Sequence, residues 1–180
     1  MAANLLDPAP MGQAVFVFAG PSVDEDMGDS ANLLGSDYED NFVAGIGYQH
    51  LPFNWGDFWL GGEIGAAGRF GDNTTGEFWG GAVARYDVTL FDAVRVAPAF
   101  TFGLSAITDT MSGRETSLEE EYDGDASLLF YLGPEINLGL ASHPEMEVFW
   151  RLHHRSGANG TLGDMRGAAN ANVFGLRYRF

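Results

Sequence analysis

Residues 149–180, FWRLHHRSGANGTLGDMRGAANANVFGLRYRF, decide how this chain is read. The stretch alternates apolar and polar side chains, breaks into a glycine-rich loop, and alternates again up to Phe180. Successive side chains of a strand point to opposite sides, so alternation marks a strand with two unlike faces. The stretch reads as strand, loop, strand. A His-x-Ser pair, His154 and Ser156, stands where the first strand meets the loop.

The same pattern extends upstream. Strands are expected at 13–20, 41–50, 57–68, 77–88, 93–105, 126–140, 145–155 and 171–180. Pro98 is the one blemish, because proline lacks a ladder N–H. LPFNW (51–55) reads as a linker. Connections alternate between long or glycine-rich and short, as in outer-membrane barrels with long external loops and tight periplasmic turns. From the second strand onward, even positions are almost wholly apolar: Phe42 and Ile46, Phe78 and Ala82, Phe100 and Phe102, Leu128 to Leu138, Met146 to Leu152, and Phe174 to Phe180. Odd positions carry Gln49, Glu63, Arg85, Asp87, Arg95, Glu135, Asn137, Glu147, Arg151, Arg177 and Arg179 among glycines and small residues.

Composition narrows the classes. The 180 residues suffice for one domain, 1–180. The formal charge is −16 and all nine basic residues are arginine, so nucleic acid is not an expected partner. Without cysteine there is neither a disulfide framework nor a thiolate metal site, and neither a metal nor a cofactor is expected. No apolar run approaches the ~18 residues of a membrane helix. The opening MAANLLDPAP lacks the basic and apolar segments of a signal peptide. Loops 21–40 and 106–125 carry seven acids each. They read as solvated surface, with divalent-cation binding as the minority reading.

With its apolar face inward, the chain would be a soluble calyx. Three features favour the opposite sense. The odd face is rich in glycine and alanine, which suits a crowded interior. Its charges have both signs, as a paired network filling a lumen requires. Aromatics such as Tyr48, Phe58, Phe78, Tyr86 and Tyr178 cluster near strand ends, where an interfacial girdle would lie. The expectation is therefore all-β: an eight-stranded antiparallel up-and-down transmembrane β-barrel in the outer membrane of a Gram-negative bacterium. Phe180 would then serve recognition by the barrel-assembly machinery.

His154 and Ser156 are both even, so they share the outward face at the loop end of their strand. An imidazole two residues from a hydroxyl on one strand face is placed to activate it as a nucleophile. His153 is odd, faces the lumen, and ranks below His154 as a base. His50 and His143 lie near the opposite end and read as incidental.

The segment His154-Arg155-Ser156-Gly157-Ala158, with the closing strand Gly175-Leu176-Arg177-Tyr178-Arg179-Phe180, resembles the lipid A 3-O-deacylase (PagL-like, acyloxyacyl hydrolase-like) family of outer-membrane barrels. The resemblance implies that Ser156 attacks an acyl ester of lipid A or a similar outer-leaflet glycolipid and that His154 takes its proton. Backbone N–H groups near Gly157 and Ala158 would hold the oxyanion. Gly157 stands where the family has Asn. The family's orienting Glu has no counterpart, since no Glu follows Glu147. Asp164, the one acid of the loop, and Asn170, a neutral partner, are the candidates to replace it. The alternative is a non-enzymatic barrel serving surface interaction or envelope integrity.

Overall fold

The computed structural model describes residues 11–180, so the MAANLLDPAP opening lies outside the described residues. The strands are β1 (Gln13–Val23), β2 (Tyr38–Trp55), β3 (Phe58–Phe70), β4 (Thr74–Tyr86), β5 (Val88–Leu90), β6 (Val94–Ile107), β7 (Leu128–Leu140), β8 (His143–Ser156) and β9 (Ala168–Arg179). Two helices sit in the long loops, α1 (Met27–Ser30) and α2 (Arg114–Tyr122). Every strand pairing is antiparallel, and β1 closes the sheet on β9. The three-residue β5 continues β4 past a break at Asp87, which leaves a closed barrel of eight staves. Pro98 falls at that break, between the Arg85–Ala99 and Val88–Val96 pairs, where its missing N–H removes no bond to β4.

Two expectations are corrected. LPFNW is not a linker. It belongs to β2, and a bulge between His50 and Phe53 re-phases the strand so that odd residues Phe53 and Trp55 face outward. The turn is confined to Gly56 and Asp57, with Gly56 at φ 66°. The second acidic loop holds helix α2. Its sequence, RETSLEEEY, has no apolar stripe, and its one buried residue is Glu115. This helix docks through ions, so hydrophobic periodicity could not reveal it.

The charged face points inward, and the lumen is filled in layers. Nearest the short turns, Arg85 forks Glu147, joined by Asp87, Arg95 and Arg179. Above them Arg151 binds Glu63 and Glu135, and Arg177 binds Glu135 and Asn137. An aromatic layer of Phe16, Phe18, Trp79, Tyr131 and Phe149 follows. Glycine makes room for it: a Cβ on Gly65 would strike the Trp79 ring, and one on Gly47 the Phe16 ring. The top layer joins Arg69 and Arg155 to Glu77 and Glu115, with His153 between Glu77 and Tyr131. A cavity of about 20 Å³ beside this layer has room for roughly one water.

The apolar face points outward and is exposed. Ile46, Ile64, Phe78, Phe102, Leu138, Val148, Phe174 and Leu176 are each between 45% and 64% exposed. Residues of this kind are ordinarily interior in water-soluble folds. Here they form the lipid-facing belt of a membrane barrel. Leu176→Arg, between the exposed Phe174 and Tyr178 on the lipid-facing side of β9, is expected to destabilise the folded barrel by about 2–4 kcal/mol in bilayers, read from urea unfolding in vesicles. No helix among the described residues is long and apolar enough to cross a membrane.

Candidate active site

The rim end of β8 lies between β7 and β9. Ser156 pairs with Phe130 on one side and Ala168 on the other; His154 pairs with Leu132 and Asn170. All six residues therefore share the outer face of the wall. His154 is nonetheless only 5% exposed. The loop after β1 folds back over this part of the wall, tied down where Asn170 Nδ2 donates to the Glu25 carbonyl (2.6 Å) and Asn172 Nδ2 to the Ser30 carbonyl (2.8 Å). Trp150 Nε1 donates to Asn172 Oδ1, which fixes that amide too. Ser156 keeps partial exposure.

The hydrogen bonds form a directed chain. The Glu25 carbonyl can only accept, so the Asn170 atom facing it is the NH2 group. Its Oδ1 therefore faces His154 Nδ1, at 2.6 Å. An acceptor there places the ring proton on Nδ1. His154 Nε2 then carries the lone pair, and it lies 3.0 Å from Ser156 Oγ. This is the tautomer that a serine's general base requires. Arg155, between the two residues in the chain, points into the lumen and binds Ser105, Glu115 and the Ala126 carbonyl. Such an anchor holds the His-x-Ser backbone in register.

Asp164 does not take the orienting role. It is exposed in a turn at φ 52°, and the Nδ1 position it would need is occupied by Asn170. Gly157 has a packing reason to be glycine: a Cβ there would collide with the carbonyls of Leu162 and Met165, which close over it. Ala158, Asn159 and Gly160 follow in left-handed conformation, at φ 49°, 58° and 89°. Such a run is costly for non-glycine residues and recurs at functional sites. Among the described residues, the N–H groups of Gly157 and Ala158 donate no backbone hydrogen bond.

The surroundings of Ser156 are apolar. Phe130 stacks on Phe102 with ring centroids 6.1 Å apart. Farther down β8, an outer-wall depression of about 440 Å³ is lined by Ile136, Leu138, Val148, Trp150, Phe174 and Leu176. His143 is exposed beside Glu145, and His50 is exposed near the other end of the barrel; neither approaches Ser156. No group of acids and histidines among the described residues is arranged to hold a metal. In the acidic loops, hydrogen bonds from the Ser127 hydroxyl and N–H hold the Asp125 carboxyl below the usual carboxylate range.

Sequence reasoning missed the Glu25 carbonyl, Asn172 and α2. The first is backbone and the second reads as one more polar strand residue, so neither carries a motif.

No protein-family model matches the sequence, and no curated protein matches it. Among solved structures, neisserial surface protein A has 14% identity and a TM-score of 0.57, with 94% of this chain and 97% of that one covered. The outer-membrane enzyme PagL has 14% identity and a TM-score of 0.56, with 93% and 99% covered. A de novo designed transmembrane β-barrel has 11% identity and a TM-score of 0.50, with 97% and 100% covered. Identities this low speak for the fold alone, and a surface protein and an enzyme share it. Taken with the exposed apolar belt and the charged, filled lumen, they make the chain an eight-stranded transmembrane β-barrel of the outer-membrane type.

Proposed function

We propose that this barrel is a serine esterase that hydrolyses an acyl ester of lipid A or a similar outer-leaflet glycolipid. The observation that carries the reading is the directed chain Asn170–His154–Ser156 on the outer wall at the loop end of β8. Ser156 Oγ attacks the ester carbonyl while His154 Nε2 takes its proton. The N–H groups of Gly157 and Ala158 stabilise the tetrahedral oxyanion. The protonated His154 then delivers its proton to the leaving alkoxide, and water repeats the sequence on the acyl-enzyme. Phe130 and Phe102 give the acyl chain an apolar approach from the membrane side.

The test is mass spectrometry of lipid A from cells expressing the wild type or Ser156→Ala. Loss of one acyl mass with the wild type only is expected. Identical lipid A profiles from both would exclude this substrate. A second reading, a non-enzymatic surface barrel, is favoured by the absence of a carboxylate on His154 Nδ1. It expects no turnover of any acyl ester by the purified wild type.

A further inference from the structure

Helix α2 holds the wall around His154 and Ser156 from both sides, through two adjacent residues: one binds Arg155 and the other the neighbouring strand. Glu115 points into the lumen and binds Arg69 and Arg155, the residue between His154 and Ser156. Arg114 points over the rim, and all three of its guanidinium nitrogens are engaged. Nε donates to the Ala168 carbonyl (2.8 Å), Nη2 to Asp26 Oδ1 (2.6 Å) and Nη1 to Asp24 Oδ1 (3.3 Å). Its backbone N–H donates to Glu39 Oε1 at 2.7 Å. Ala168 is the cross-strand partner of Ser156. Asp24 and Asp26 flank Glu25, whose carbonyl fixes the Asn170 amide.

We infer that Arg114 is a positioning residue for the proposed site: it clamps residues 24–26 so that the Glu25 carbonyl locks Asn170 and, through it, the His154 tautomer. Each ion pair alone would be weak, because Asp24 and Asp26 are solvent-exposed. A planar fork held at three points loses little freedom per bond and fixes direction, which a point charge cannot do. The consequence for rate rests on the esterase reading; the clamp itself is a property of the fold and has its own readout.

That readout is the reaction of His154 with diethylpyrocarbonate, mapped by peptide mass spectrometry on the folded barrel in detergent. His143 and His50 are exposed and serve as internal references. His154 is expected to react slowly in the wild type. Opening of the loop in Arg114→Ala raises its rate about tenfold. The double variant Asp24→Asn, Asp26→Asn does the same and stands in where Arg114→Ala fails to fold. Unchanged protection of His154 in the folded variants overturns the clamp.

The second readout is kinetic. Arg114→Ala lowers kcat about tenfold or more at unchanged KM, since it misplaces the base without touching substrate. In an Asn170→Asp background, which lacks the amide donor to Glu25, Arg114→Ala has no further effect. A loss that adds in full in that background overturns the route through Glu25. If the wild type turns over no ester, the esterase reading fails, and His154 protection alone decides the clamp.

Discussion

Asn170→Ala is expected to cut kcat for an ester substrate by up to about 10⁴, with Ser156 and His154 in place. The size follows from the tautomer. With Oδ1 removed, nothing keeps the ring proton on Nδ1, and a protonated Nε2 cannot accept from Ser156. Asn170→Asp separates orientation from charge. The carboxylate accepts from Nδ1 as the amide does, in a charge-assisted bond roughly twice as strong. It also favours protonated imidazole, and a general base works only when neutral. Activity is therefore retained, with the acid limb of the kcat/KM–pH profile moved to higher pH. The measurement is steady-state hydrolysis of a short-chain ester by detergent-solubilised barrel across pH. A profile identical to the wild type in both variants would remove Asn170 from the mechanism.

What could be read from the sequence follows the physics of each feature. Parity is local and repeated, so the even and odd faces, the sense of the barrel and the outward position of His154 and Ser156 were all legible. The same rule hides its own exceptions. The bulge at His50–Phe53 inverts parity for two aromatics, and its one mark in the sequence, Pro52, reads equally well as the end of a strand. The top ionic layer was read only in part. Glu77 and Arg155 sit on expected strands, but their partner Glu115 belongs to a helix recognised by its charge pairs alone. At the site, the serine and its base lie two residues apart. The orienting partner comes from the next strand, and the group that fixes that partner is a backbone carbonyl 145 residues away. Of the two candidates for the orienting role, Asp164 is the carboxylate and Asn170 the neutral amide. The register of β8 against β9 puts Asn170 beside His154. In this geometry a neutral amide fixes the tautomer; what it lacks is the charge that stabilises imidazolium.

Arg151→Met is expected to destabilise the barrel by about 3–5 kcal/mol, because it leaves a buried charge uncompensated. Arg151 is fully buried. It donates to both oxygens of Glu63 at 2.7 Å, to Glu135 at 2.7 Å and to the Tyr131 hydroxyl at 3.2 Å. It also lies over the Phe16 ring at 5.0 Å. Without it, Glu135 still has Arg177, at 2.6 Å. Glu63 keeps the Gln49 and Trp79 donors, at 2.6 and 2.8 Å, but loses the one cation that pairs with it among the described residues. The penalty therefore belongs to Glu63 rather than to a lost arginine bond. Arg151→Met combined with Glu63→Gln should recover most of the loss, since a neutral amide can still accept from Trp79 and a methionine of similar length fills the space against Phe16. Urea unfolding in vesicles, followed by Trp fluorescence, measures both variants. Equal destabilisation of the single and double variants would mean that the lumen depends on the arginine itself, through its contacts with Tyr131 and the aromatic layer. Recovery in the double variant would mean that the lumen depends on charge balance, the condition that a narrow filled barrel must meet wherever a carboxylate faces inward.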